Sequence, residues 1–232
     1  MHDQYQWTGV AETMKILNLF AGIGGNRTLW GDDHYITAIE QNEKIAAIYE
    51  RRFPNDHVFV TDAYDFLEDT YDQYDFIWAS PPCPSHSQMQ KIQQKKILPD
   101  LRLYSLIIFL QTWFKGKWVV ENVVPYYKPL IKPMVELERH YIWSNFLIPS
   151  KEFKFRTREY CKSMTKEELS EFHQIPLEII PYTQYFKGHD NMRQILRNCV
   201  HYEIGKYILD QVKNPLNQQS LNLFFKLITE GL

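Results

Sequence analysis

Met14-Lys15-Ile16-Leu17-Asn18-Leu19-Phe20-Ala21-Gly22-Ile23-Gly24-Gly25-Asn26 decides the fold. The run from Met14 to Phe20 reads as a buried strand, and the glycines that follow read as a tight turn. A helix-like stretch is expected from Arg27. Strand, glycine turn and helix form the opening of a Rossmann-like sheet, in which the glycines let the backbone turn sharply and approach a ligand. The spacing Gly-x-Gly-Gly is not Gly-x-Gly-x-x-Gly, so a dinucleotide is not favoured. Further strands are expected over Tyr35–Glu40, His57–Val60, Tyr74–Ala79 and Lys117–Val120, with strand-like material in 134–148. Helices are expected over Glu43–Phe53, Leu101–Phe114 and Glu167–Gln174, at the end of 192–212, and over Ser220–Thr229. Strands that alternate with helices predict an α/β fold with a mostly parallel sheet and helices on both faces.

The composition sets bounds on this reading. A chain of 232 residues, 44% of them apolar and 15% aromatic, can bury a substantial core in one domain, with or without a small appendage. No run approaches the roughly 18 apolar residues of a membrane span, and the first residues lack the order of a signal peptide, so an intracellular, cytoplasmic protein is expected. The cysteines, Cys83, Cys161 and Cys199, are odd in number and far apart, which suggests reduced thiols and gives no metal-ligand spacing. A formal charge of −2 neither demands nor excludes nucleic acid.

Open α/β sheets carry their chemistry at the carboxyl ends of the strands, and four polar residues fall there. Glu40 ends the second strand, where an acid can accept from ribose hydroxyls; the alternative is a cap for the next helix. Asp62 follows the third strand as a ligand contact or a helix N-cap. Ser80-Pro81-Pro82-Cys83-Pro84-Ser85-His86-Ser87 follows the fourth strand. Its prolines stop that strand in a rigid loop and present Cys83 as a nucleophile, against the alternative of a structural cysteine. Glu121, after the fifth strand, is expected beside Cys83 as an acid.

Two stretches are basic. Residues 84–98 form a polar loop with Ser85, Gln88, Lys91 and Lys95, suited to phosphates and base edges or to solvent. From Pro149, Lys151, Lys154, Arg156, Arg158, Lys162 and Lys166 interleave with Phe153, Phe155 and Tyr160, as in a nucleic-acid groove or a solvated rim.

The order of these pieces resembles the DNA (cytosine-5) methyltransferase family. Asn18 to Gly25 is similar to the S-adenosylmethionine loop, Ser80-Pro81-Pro82-Cys83 to the nucleophile motif, and Glu121-Asn122-Val123 to the catalytic acid motif. Met192 to Val200 is similar to the last motif, which returns to the cofactor, and Lys162 to Pro176 loosely resembles the one before it. The stretch nearest the family's Gln-x-Arg-x-Arg is Leu137-Glu138-Arg139-His140-Tyr141, which keeps one arginine.

The resemblance implies a class I S-adenosylmethionine-dependent methyltransferase fold. Its implied cofactor residues are Phe20, Gly22, Gly24, Gly25, Glu40, Asp62 and Asn198, and its implied catalytic residues are Cys83, Glu121 and Arg139. It further implies that a cytosine is flipped out of duplex DNA, attacked at C6 by Cys83 and methylated at C5, without metal. Contacts to DNA are expected from Ser85, Gln88, Lys91, Lys95, Arg156 and Arg158. Residues 1–148 and 192–232 would form the catalytic domain. Residues 149–191 would form a much reduced target-recognition and connector region, so a specificity partner or a companion restriction endonuclease is conceivable. Two other readings stay open: the same chemistry on tRNA, and a non-catalytic cofactor-binding subunit that needs a partner.

Overall fold

The computed structural model describes residues 13–87, 98–155, 163–180 and 191–214. Its strands are β1 (Lys15–Leu19), β2 (Tyr35–Ile39), β3 (His57–Phe59), β4 (Phe76–Ala79), β5 (Lys117–Val123), β6 (Val135–Leu137) and β7 (His140–Ser144). Its α-helices are α1 (Glu43–Arg52), α2 (Ala63–Thr70), α3 (Arg102–Trp113), α4 (Lys166–His173), α5 (Asn191–Arg197) and α6 (Tyr202–Lys213). One sheet takes the order β3-β2-β1-β4-β5-β7-β6. The pairs among β1 to β5 are parallel, and β7 lies antiparallel between β5 and β6.

The parallel strands are apolar on both sides because helices cover both sides. Ile16, Phe76, Trp78 and Val119 point into one layer, closed by Ile204, Ile208 and Val212 of α6. Leu17, Leu19, Ile77, Ala79 and Val120 point into the other, closed by Leu67 of α2 and Leu103, Leu106, Ile107 and Leu110 of α3. Side chains of successive strand residues alternate between faces, so each strand serves both layers. Leu169, Ile175 and Ile180 pack with Ile23 and Ile48 in a third cluster.

Local chemistry fixes the helix starts. Asn42 accepts from the backbone N–H of Lys44 and Ile45 at the head of α1. Thr165 and Glu168 form a reciprocal capping box on α4. Gln174 ends α4 in the left-handed conformation at φ 56°.

The helix expected from Arg27 is only a single 3-10 turn, Asn26–Leu29. The Thr28 hydroxyl bonds back to the Gly24 and Gly25 carbonyls, and Gly31 turns the chain at φ 77°. α6 packs against this turn, with Gly205 so near the Asn26 carbonyl that no Cβ fits. β5 runs past Val120 to Val123, because Glu121 and Asn122 pair with Ile142 and Tyr141 of β7. α2 is a helix that the periodicity did not suggest. The expected helix at Ser220–Thr229 and the connector 181–190 lie outside the described residues.

Candidate active site

Strand order reverses between β1 and β4. The chain winds outward from β1 through β2 to β3, then returns to β4 and β5 on the other side. The loops leaving β1 and β4 therefore diverge and open a crevice at the carboxyl edge. The glycine loop lines one side and the Cys83 loop the other.

The glycine loop is pinned at both ends, by Ala21 N–H donating to the Ile39 carbonyl (2.9 Å) and Gly24 N–H donating to Ala21 (2.9 Å). Phe20 holds φ 56° and Gly22 the same angle, a conformation that glycine adopts without strain. A Cβ on Gly22 would meet no atom within 4 Å, whereas one on Gly25 would strike the Val200 carbonyl at 2.5 Å. The loop is thus open toward the crevice at Gly22 and closed against the protein at Gly25. Phe20 stands edge-on to Tyr64 at 5.2 Å between ring centres.

Glu40, at the end of β2, reaches back to this loop. Its Oε2 accepts from Gly22 N–H (3.0 Å) and its Oε1 from Asn42 N–H (2.8 Å). Burial pushes its carboxyl up, against these bonds and one from Gln41. Asp62 is the N-cap of α2, its Oδ1 accepting from Tyr64 N–H at 2.8 Å and Asp65 N–H at 3.4 Å. The cap alternative therefore holds for Asp62, with Oδ2 left over for a ligand. Asn198 lies exposed at the end of α5; its neighbours Cys199 and Val200 touch Gly25. Open backbone at Gly22 flanked by carboxylates suits a ligand with hydroxyl and amine donors, and S-adenosylmethionine fits that donor set.

Across the crevice, Cys83 and Glu121 come together at the ends of paired strands β4 and β5. Cys83 is half-buried and free of any disulfide. Burial pushes its thiol up, the negative charge of Glu121 pushes it further, and Arg139 opposes both. Glu121 is 5% exposed. Burial pushes its carboxyl up to about 7, against a hydrogen bond from Ser80 and the charge of Arg139. Thiolate and carboxylate repel, so the pair favours one ionised member at a time. An ionised Cys83 beside a protonated Glu121 is the combination that a nucleophile with a neighbouring acid requires.

Arg139 begins the hairpin return from β6 to β7. Its Nη2 donates to the Arg197 carbonyl at 2.6 Å and its Nε to His140 Nε2 at 3.3 Å. The guanidinium is committed to protein partners and acts on the crevice through its charge. His140 Nε2 lies 3.5 Å from Glu121 Oε1. Burial, Arg139 and His173 keep this histidine neutral, so the contact is not an ion pair.

Of the residues expected to meet nucleic acid, Ser85 is described. Its Oγ accepts from Asp100 N–H at 3.1 Å, tying together the chain on either side of 88–97. Gln88, Lys91, Lys95, Arg156 and Arg158 lie outside the described residues. Among the described residues no group of three His, Cys, Asp or Glu could hold a metal, and no helix is long and apolar enough to cross a membrane.

Three residues escaped the sequence reading. Asn122 donates from Nδ2 to the Pro81 carbonyl at 2.9 Å, Ser80 Oγ accepts from the Trp78 indole at 2.8 Å, and His140 faces Glu121. A polar side chain inside an apolar strand signals a partner, because burial without one is costly. Asn122 carried that signal; His140 owes its place to the sheet pairing alone.

The sheet order, with one reversed strand and a glycine loop after β1, defines a Rossmann-like S-adenosylmethionine-dependent methyltransferase fold. Residues 14–124 match the model of the family described as C-5 cytosine-specific DNA methylase. The matched segment holds the glycine loop, Glu40, Asp62, Cys83 and Glu121.

No curated protein matches the chain. Among solved structures it is similar to a mutant of DNMT2 from Spodoptera frugiperda, at 27% identity over 48% of this chain and 36% of that one, with a TM-score of 0.35. It is similar to the SAM-dependent methyltransferase of Agrobacterium tumefaciens at 14% identity, over 51% and 41% of the two chains, with a TM-score of 0.40. The methyltransferase EhMeth of Entamoeba histolytica gives 11% identity over 87% and 98%, with a TM-score of 0.47. The chain thus spans little more than a third of the length of the insect DNMT2 that it matches.

Proposed function

We propose that this protein transfers a methyl group from S-adenosylmethionine to C5 of a cytosine in double-stranded DNA, through a covalent bond between Cys83 and C6 of a flipped base. The observation that carries the reading is the meeting of Cys83 and Glu121 at the carboxyl ends of β4 and β5, where the charge of Glu121 pushes the thiol up, across from the glycine loop. The DNA substrate rests on the description of the matched family.

When bound, the cofactor supplies a methyl group activated by its sulfonium. Phe20, Gly22, Gly24, Gly25, Glu40, Asp62 and Asn198 would hold it. Cytosine C5 is a poor nucleophile until a thiolate adds at C6 and makes the ring an enamine. Cys83 makes that bond while Glu121 holds a proton at N3, where negative charge would otherwise build. Arg139 favours the thiolate by its charge. Once C5 carries the methyl group, its proton leaves to a base, the C6–S bond breaks, and N3 returns its proton to Glu121. C6 is unreachable inside a duplex, so the base must leave the stack, at about a few kcal/mol.

Residues 149–191 serve as a reduced recognition and connector region. Ser85, Gln88, Lys91, Lys95, Arg156 and Arg158 contact the DNA, and a specificity partner or a companion restriction endonuclease completes the system. The setting is the cytoplasm, where a thiol stays reduced.

The test is transfer of labelled methyl from S-adenosylmethionine to duplex DNA of mixed sequence, with tRNA and the Cys83→Ala protein in parallel. Label in DNA that is lost in the variant is the expected result. Label in tRNA alone reassigns the substrate. Retained cofactor binding with no label in either overturns the catalytic reading.

A further inference from the structure

The turn that begins at Cys83 closes on the cysteine's own carbonyl, which accepts from His86 N–H at 3.0 Å and Ser87 N–H at 3.1 Å. His86 is the first buried residue after Cys83, with 1% of its surface exposed. A buried imidazole needs a partner. Its Nδ1 lies 2.6 Å from the Tyr127 hydroxyl, in the chain that continues from β5 beyond Glu121. The Tyr104 hydroxyl of α3 donates to the same oxygen at 3.2 Å, which leaves the Tyr127 proton for Nδ1. Burial pushes the imidazole down, against the charge of Asp100, and so favours the neutral ring that can accept it. Tyr104 is fixed in turn: it is buried and stands edge-on to Trp143 of β7, at 6.5 Å between ring centres. The backbone repeats the tie, with Tyr126 N–H donating to the His86 carbonyl at 3.1 Å and Ser87 bridging to Pro125.

We propose that His86 is a positioning residue for Cys83: its bond to Tyr127 holds the turn shut on the cysteine carbonyl and fixes the direction in which the thiol is presented. The inference rests on Cys83 acting as the nucleophile. Addition to a ring carbon needs the sulfur aligned with that atom, and a thiol on a loosened turn spends part of its time elsewhere. Pro82 and Pro84 restrict the backbone on either side of Cys83, but a proline has no N–H with which to tie the loop to its neighbours. Ser85 Oγ accepts from Asp100 N–H and joins the turn to the start of α3. His86 is the side chain of this turn that reaches the segment following the strand of Glu121, so it holds the nucleophile against the acid.

The experiment uses Tyr127→Phe, which removes only the hydroxyl, with His86→Leu, His86→Asn and His86→Gln. Asparagine puts a polar atom at the place of Nδ1, and glutamine at that of Nε2. Two rates are read: alkylation of Cys83 by iodoacetamide, followed by peptide mass spectrometry, and single-turnover methyl transfer at saturating S-adenosylmethionine. Alkylation of the buried Cys199 reports general loosening in the same samples. The expected result is opposite motion. In Tyr127→Phe and His86→Leu, alkylation of Cys83 rises and methyl transfer falls about tenfold, while Cys199 and affinity for S-adenosylmethionine stay unchanged. His86→Asn recovers both rates and His86→Gln neither. Tyr127→Phe carries the test alone should His86→Leu fail to fold. Unchanged Cys83 alkylation in Tyr127→Phe, equal recovery by glutamine and asparagine, or a matching rise at Cys199 overturns the assignment. The expected alkylation pattern in a protein that transfers no methyl group keeps the assignment and removes the functional reading instead.

Discussion

Asn122 holds Pro81 in place: its Nδ2 donates to the proline carbonyl at 2.9 Å, with both residues buried. The bond ties the strand that carries Glu121 to the loop that carries Cys83, adding a side-chain link to the backbone pairing of β4 with β5. Asn122→Ala should leave that carbonyl unpaired and cost about 1–3 kcal/mol of stability. Turnover should fall further than this loss explains, with cofactor affinity kept. Denaturant titration, calorimetric cofactor binding and single-turnover methyl transfer on one preparation check all three.

Glu121 also makes stability depend on pH. Its carboxyl rises from an ordinary 4.5 to about 7 on folding. Between those values the folded protein keeps a proton that the unfolded chain releases. Stability is therefore greatest at the acidic end, falls as pH rises through this window and levels off above 7. The separation corresponds to on the order of 3 kcal/mol. Glu121→Gln should match the wild type near pH 4.5 and exceed it by roughly that amount at pH 8, as measured by urea unfolding at each pH. A wild type that gains stability across the window contradicts the assignment.

The ion pair of Arg27 with Asp56 lies beneath the glycine loop, each side chain 3% exposed, with the Tyr49 hydroxyl donating to the same carboxylate. Removing one buried partner strands the other charge. Arg27→Met should cost about 3–5 kcal/mol, whereas breaking the exposed Arg102–Asp100 pair by Arg102→Ala should cost less than about 1 kcal/mol. Thermal unfolding of the two variants side by side tests the contrast.

Gly22 and Gly25 should respond differently to alanine. Gly22→Ala meets no neighbour but must hold φ 56°, at about 1–2 kcal/mol, and its methyl enters the crevice. Cofactor affinity should fall with a modest change in melting temperature. Gly25→Ala drives a methyl into the Val200 carbonyl and should destabilise the whole domain. Equal effects of the two on stability would contradict the division of the loop into an open and a closed side.

Much of this arrangement was legible in the residues themselves. Apolar runs ending on Glu40, Asp62 and Cys83 gave the strands and the edge at which they terminate, because a parallel strand buried on both faces has little choice of composition. The helix expected at Arg27 failed because the side chains there bond locally and to Asp56 rather than supporting a helix. β5 was cut short at Val120 because Glu121 and Asn122 read as a loop, yet their polarity is what the site uses. The bonds of Arg139 and His140 depend on which strands become neighbours, and the antiparallel insertion of β7 had no local signature.

The bond between Cys83 and the base is the central claim, and trapping tests it most directly. A duplex carrying 5-fluorocytosine, incubated with the protein and S-adenosylmethionine, cannot lose a C5 proton, so elimination stalls after methyl transfer. The account predicts a stable protein–DNA complex whose modified peptide carries the nucleotide on Cys83, and none with Cys83→Ala. Methyl label entering normal DNA with no adduct on Cys83, or an adduct on Cys161 or Cys199 instead, would contradict it.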